Sequence, residues 1–350
     1  MQGVKYKYSV DALKVCYEIK SEIYNKLTEN ALNSPFFIFT SPNSSDVHTE
    51  DFRLRRVKDS KFDFEILVPD ENFEDKLVLY GDLTVKSNDD PNFAGKCFIT
   101  LDNRRLYEPF AVHNEVIEWK EPKQKINLTT LESISNYTKL KHEARIPAKT
   151  LTIQYNTIFF LEEMASRLHL SLVSMSNLEI SFDSNINFAR LLKRTVADEK
   201  FIPVINRVKY PDVNSREEIN NAFLNYGTTR SRAVNLSYYV QQSKGRLELK
   251  CYNKSKEIDR KSGKNYIYKW LGMDKNIHRM EIKAKREPIN AFCEGKGILL
   301  SEFLYNLHTG DNLSEAFILW LNRLIHFKKA ERPNGRDVTV FDLVSTSKSV

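Results

Sequence analysis

Three stretches decide the fold: Leu178-Glu179-Ile180-Ser181-Phe182-Asp183, Arg246-Leu247-Glu248-Leu249-Lys250-Cys251-Tyr252 and His278-Arg279-Met280-Glu281-Ile282-Lys283. Residues two apart on a strand share a face. One face of the first stretch is therefore Leu178, Ile180 and Phe182, and the other is Glu179, Ser181 and Asp183. The second divides into Leu247, Leu249 and Cys251 against Arg246, Glu248, Lys250 and Tyr252. The third divides into Met280 and Ile282 against Arg279, Glu281 and Lys283, with His278 on the apolar side as a hydrogen-bonded, partly buried histidine. Strands apolar on one face only are those of an antiparallel sheet. As neighbours, the three would gather Glu179, Asp183, Glu248, Glu281 and Tyr252 on one open face.

Outward from these strands the pattern is α+β: antiparallel sheets with helices packed on one face. Val4, Tyr6, Tyr8 and Val10 alternate with polar residues as a half-buried strand. A helix is expected over Leu13–Leu27, then strands at Phe36–Phe39, Phe62–Val68, Leu77–Val85 and Lys96–Leu101, separated by turn residues. A helical pattern runs from Thr157 to Leu168, and a short helix spans Asn187–Val196. Ser215-Arg216-Glu217-Glu218 has the form of a capping box opening a helix over Ile219–Leu224. Two helices, near Leu299–Leu307 and Ser314–Phe327, close the chain. The organisation expected is an N-terminal α+β domain over 1–118, a linker over 119–150, a catalytic α+β domain over 151–295, and C-terminal helices and a tail over 296–350. Both halves read as helix plus sheet, but no sequence identity between them establishes a duplication.

The 350 residues are 41% apolar and 28% charged, the composition of an ordinary globular chain. No apolar run reaches membrane-spanning length and the start has no signal-peptide core, so a cytoplasmic protein is expected. Cys16, Cys97, Cys251 and Cys293 lie far apart without a CxxC pair and read as small buried residues rather than as a zinc site or disulfide framework. The net charge is +7, and Lys244–Glu287 holds 14 Lys and Arg against six Asp and Glu. The surplus is thus local, which is what neutralising phosphates requires.

Carboxylates on one face suit Mg²⁺ or Mn²⁺. Such an ion polarises a phosphodiester, and a tyrosine oxygen beside it can attack. The same pattern also fits a solvated sheet face laced with cross-strand Glu–Lys pairs, and periodicity does not decide between them.

Asn225-Tyr226-Gly227-Thr228-Thr229-Arg230-Ser231, then the run from Arg246 to Glu257 through Tyr252-Asn253-Lys254, then Arg279-Met280-Glu281, resemble the Rep_trans family of rolling-circle replication initiators of plasmids and mobile elements. The upstream Glu179-Ile180-Ser181-Phe182-Asp183 matches the family's acid-x-x-x-Asp strand. The four pieces keep the family's order over about residues 175–290. The resemblance implies a fold related to the HUH nucleases, with carboxylates largely replacing the metal-binding histidines. It implies that one strand of an origin hairpin is nicked through a 5′-phosphotyrosine, leaving a 3′ hydroxyl that primes synthesis. By that match Tyr252 is the nucleophile and Lys254 lies near the scissile phosphate. Asp183 and Glu281 are metal ligands, with Glu179 a further ligand or a group behind them. Arg230, Arg232, Lys250, Arg279 and Lys283 are expected to contact DNA.

Many family members carry Asp where this chain has Asn253, and Lys250-Cys251 also departs from the usual approach to the tyrosine. The alternatives are therefore a catalytically weak origin- or hairpin-binding protein, or a mobilisation relaxase or transposase-like strand transferase. No GxxxxGK[ST] phosphate loop occurs, so unwinding would fall to a host helicase as partner. The expected partners are otherwise DNA, as hairpin and single strand, and a second copy joined through the C-terminal apolar helices.

Overall fold

The computed structural model describes residues 6–25, 36–38, 52–58, 61–68, 77–86, 91–102, 161, 165–166, 168–225, 236–259, 268, 272, 275–307 and 312–346. The named elements, in chain order, are strands β1 (Tyr6–Glu18), β2 (Phe36–Ile38), β3 (Phe52–Lys58), β4 (Lys61–Val68), β5 (Leu77–Val85), β6 (Lys96–Asp102) and β7 (Ser171–Ser184), then helix α1 (Phe188–Ala197). Next come β8 (Phe201–Ile205), β9 (Val208–Lys209), α2 (Val213–Asn225), β10 (Leu236–Gln241), β11 (Leu247–Asn253), α3 (Lys254–Glu257) and β12 (His278–Lys285). The chain closes with α4 (Arg286–Lys296), α5 (Leu300–Asn306), α6 (Leu313–Leu324), β13 (Ile325–Lys329) and α7 (Val340–Thr346). The class is α+β, with extensive antiparallel pairing.

The chain divides into two compact units, one of Met1–Asp11, Leu178–Gly297 and Gly310–Val350, the other of Ala12–Asn177 and Ile298–Thr309. The expected linker over 119–150 lies outside the described residues, as does most of the helical pattern over 157–168.

In the first unit the strand order is β10-β11-β12-β7-β1. Its core forms on the apolar faces that the alternation defines. Leu178, Ile180, Phe182, Leu247, Leu249, Cys251, Met280 and Ile282 are all buried. Helices α1 and α6 pack on this side. The Phe182 ring meets Phe188 of α1 at 5.6 Å, Phe317 of α6 at 5.9 Å and Phe341 of α7 at 5.3 Å. Tyr6 and Tyr8 of β1 add contacts to the same ring at 5.5 and 4.8 Å. Helix α1 is capped by the Asn187 side chain, which accepts from the Arg190 amide. A separate three-stranded sheet, β13-β8-β9, lies in the same unit.

The β10–β11 hairpin turns through Lys244 and Gly245, both at positive φ (61° and 58°). Glycine adopts the positive φ at 245 without strain, and a Cβ there would also press on the end of the Gln241 side chain, 2.9 Å away. Across this hairpin Gln241 pairs opposite Glu248.

In the second unit β1 pairs with β6, and β5, β4, β3 and β2 follow outward, every pair antiparallel. Buried Leu13, Val15, Cys16 and Tyr17 of β1 pack with Cys97, Ile99 and Leu101 of β6. The helix expected over Leu13–Leu27 is corrected: β1 continues to Glu18, and among the described residues of that span only 21–25 are helical. Apolar side chains in succession suit a strand covered on both faces, and Val15 and Tyr17 carry high strand preference.

The capping box is also shifted. Helix α2 starts at Val213, and Asp212 accepts from the Ser215 amide at 2.8 Å. Asp212 therefore caps, and Ser215 takes the position three residues on. The last long helix stops at Leu324, and Ile325-His326-Phe327 turns into β13 instead of continuing it. All four cysteines are free and buried, as expected.

Candidate functional site

The polar sides of β11, β12, β7 and β1 form rows of complementary groups. The β11–β12 register places Glu248 opposite Lys283, Lys250 opposite Glu281, and Tyr252 opposite Arg279. Period-two alternation puts all six on one face, and directly opposed side chains on antiparallel strands interact. The next strand, β7, adds Glu179 and Asp183, and β1 adds Ser9 and Asp11. Lys283 Nζ lies 3.1 Å from Glu179 Oε1. The hydroxyls of Ser9 and Ser181 lie 2.7 Å apart.

At the centre is an arginine held by two acids. Arg279 donates to both oxygens of Asp183, from Nε at 2.7 Å and Nη2 at 2.6 Å, and from Nη1 to Asp11. Arg279 and Asp183 are each 1% exposed. Burial disfavours the guanidinium charge, but Asp183 and Asp11 more than offset this and hold it protonated well above the ordinary arginine range.

Three expectations meet this arrangement. The face is not open at this end, because Ser9, Ser181, Asp183, Arg279 and Glu281 are all buried. Arg279, expected to contact DNA, is an interior ion-pair partner. Asp183, expected as a metal ligand, gives both carboxylate oxygens to that arginine.

Tyr252 is half-buried, and its hydroxyl donates to Glu281 Oε2 at 3.1 Å. Burial, and next the Glu281 carboxylate, raise the phenol well above its usual value, with Arg279 acting the other way. The other oxygen of Glu281 accepts from Lys250 Nζ at 2.9 Å. Burial works against the Lys250 ammonium, but Glu281, with Glu179 and Glu248 behind it, raises it above the ordinary lysine value. Lys254, the first residue of α3, is buried and pairs with Glu257 at 2.6 Å. Its Nζ stands 5.8 Å from the centre of the Tyr252 ring. Asn253 caps α3, accepting from the Lys256 amide at 2.9 Å. An aspartate would fill that role as well, so its replacement by asparagine is neutral for local structure.

Carboxylate oxygens of Asp11, Glu179 and Glu281 lie within 4.8 Å of one another. Three hard oxygen donors at that spacing are the chemistry that Mg²⁺ or Mn²⁺ takes. Two members of the trio, Glu179 and Glu281, come from the expected set. Asp11 was missed, although the polar side of β1 runs Lys7, Ser9, Asp11 by the same alternation that located the others.

No family model matches this sequence, and no curated protein matches it. Among solved structures the chain is similar to a rolling circle replication initiator protein from Geobacillus stearothermophilus. The TM-score is 0.37 and the identity 10%, over 98% of this chain and 96% of that one.

Arg230 and Arg232, like the rival tyrosine Tyr226, lie outside the described residues. Lys250 and Lys283 are half-buried and engaged with Glu281 and Glu179. His278 is half-buried, and burial, then Lys256, lower its pKa. Among the described helices none is long and apolar enough to cross a membrane.

Proposed function

We propose that this protein nicks one strand of an origin hairpin in the cytoplasm and becomes linked to the 5′ phosphate through Tyr252, so initiating rolling-circle replication. The observation that carries the reading is the Tyr252 hydroxyl 3.1 Å from Glu281, a carboxylate that belongs to the trio with Asp11 and Glu179. The ordered motif set around Tyr252 supports it.

Asp11, Glu179 and Glu281 would hold a divalent ion, Mg²⁺ or Mn²⁺. Bound there, it supplies charge to the scissile phosphate and stabilises the departing oxygen. The remaining steps belong to the chain's own groups. The Tyr252 oxygen forms a bond to phosphorus as its proton passes to Glu281 Oε2. The bond from phosphorus to the 3′ oxygen breaks, and that oxygen leaves as a 3′ hydroxyl after taking up a proton. Burial and the Glu281 carboxylate raise the phenol pKa, so Tyr252 carries its proton in the resting site and must give it up on attack. Lys254, beside the ring, would face the charge that develops on the phenol oxygen. Arg279 does not touch DNA in this scheme; it fixes Asp11 and Asp183 in place. Strand separation would come from a helicase partner.

The test is a covalent-adduct assay with supercoiled origin DNA and Mg²⁺ or Mn²⁺, followed by mapping of the modified residue. Nicked product attached to Tyr252, and no adduct from Tyr252→Phe, is the expected result. Wild-type nicking by Tyr252→Phe would overturn the assignment. The tightly held phenol proton favours one other reading, a hairpin-binding protein with little cleavage. Firm hairpin binding with no adduct under either metal would select it.

A further inference from the structure

We propose that Lys250 is an internal counter-ion standing where a divalent cation would bind, so that the cation must displace it and thereby frees it for a DNA phosphate. This rests on the reading of Asp11, Glu179 and Glu281 as the cation-holding trio, and it assigns Lys250 a role that the motif match does not.

Three observations carry it. Lys250 Nζ lies 2.9 Å from Glu281 Oε1, on a carboxylate whose other oxygen receives the Tyr252 hydroxyl. A cation entering the trio would compete for the same carboxylate. The ammonium also interacts with Glu179, a second member of the trio, and with Glu248. It is thus a cation of the chain's own placed on Glu281, beside Lys283 on Glu179 and Arg279 on Asp11. Finally, the cations on this face differ in freedom and in partner, and Lys283 is held by Glu179 at 3.1 Å. The Arg279 side chain is 0% exposed and held by two acids, whereas the Lys250 side chain is 33% exposed and has a way out.

A divalent ion brings two charges to a position already served by one. Like charges at such separations repel strongly in a partly buried site. The Nζ–Oε1 contact therefore breaks as the ion binds. The released ammonium turns toward solvent, where a phosphate oxygen can neutralise it. Metal and DNA then strengthen each other's binding, and by linkage the effect is reciprocal.

The experiment measures Mn²⁺ affinity of the full-length protein by calorimetry and by the spin-resonance signal of free Mn²⁺. It compares wild type, Lys250→Met, Lys250→Arg and Glu281→Gln, each with and without a single-stranded oligonucleotide. Removing the lysine charge is expected to tighten Mn²⁺ binding about tenfold or more. The oligonucleotide should tighten it further for wild type but not for Lys250→Met. Lys250→Arg retains the charge and should stay within about threefold of wild type. A residue with only a packing role would weaken binding when replaced. Should Lys250→Met not fold, Lys250→Gln keeps a donor for Glu281 without the charge and serves in its place.

If wild type binds Mn²⁺, Glu281→Gln does not, and the uncharged variants bind no tighter than wild type, the counter-ion role is refuted and the trio stands. If no variant binds Mn²⁺, the cation-holding trio fails and this proposal falls with it.

Discussion

Replacing Arg279 by Met removes the cation between two acids while keeping an unbranched apolar side chain of comparable reach. The cost follows from where the partners sit. Asp183 is 1% exposed and has lost both of its guanidinium contacts, formerly at 2.7 and 2.6 Å. Water cannot reach it to replace them. Asp11, whose side chain is 16% exposed, recovers part of its solvation. Breaking a buried pair by removing one partner costs about 3–5 kcal/mol, most of it the penalty of the charge left behind. Urea unfolding followed by tryptophan fluorescence, extrapolated linearly to water, measures the loss. A second variant, Arg279→Met with Asp183→Asn, removes the stranded charge and should recover more than half of it. The coupling energy of that cycle isolates the pair from general packing. A loss under about 1 kcal/mol for the single variant would refute the account. So would a double variant no more stable than the single.

Three further outcomes are expected. Phe182→Ala should cost about 3–5 kcal/mol, because a fully buried ring in contact with five other aromatic rings is replaced by a cavity; urea unfolding measures it. Asn253→Ala should cost about 1 kcal/mol while Asn253→Asp stays within about 0.5 kcal/mol of wild type, since only alanine removes the α3 cap; chemical denaturation distinguishes them. The third concerns pH. The folded phenol of Tyr252 is raised above its unfolded value, near 10, so its contribution is intact below that pH and is lost as pH rises above it, where only the unfolded chain gives up the proton. Tyr252→Phe should therefore lose less stability than wild type above about pH 10, as read from melting curves across the alkaline range.

The strands that build the site were legible because each is apolar on one side and charged on the other. Glu248, Lys250, Glu281 and Lys283 meet across β11 and β12 as the alternation requires. The expected limits of β11, β12 and α1 fall within a residue or so of those observed. Three things were not legible. Where a strand is covered on both faces, as β1 is past Leu13, the alternation disappears and the run resembles a helix. Short strands such as β8 and β13 are set by tertiary pairing, Ile325 opposite Ile205 and Phe327 opposite Pro203, and have no strong local pattern. Nor can alternation say which acid meets which base. Asp183 and Glu179 lie on the same side of β7, yet Asp183 is locked to Arg279 while Glu179 joins the trio. That difference depends on depth of burial and on Asp11, 268 residues away from Arg279 in the chain.

That separation has a consequence for synthesis. At about 5–20 residues per second, the ribosome makes the first strand roughly 15–50 seconds before Arg279 is added. Until then Asp11 has no guanidinium to receive it, although β6 and β7 are made earlier and can already pair with β1. Only until β6 and β7 are made does β1 have both edges unpaired. A truncated product ending before β12 would carry Asp11 and Asp183 without the arginine that balances them.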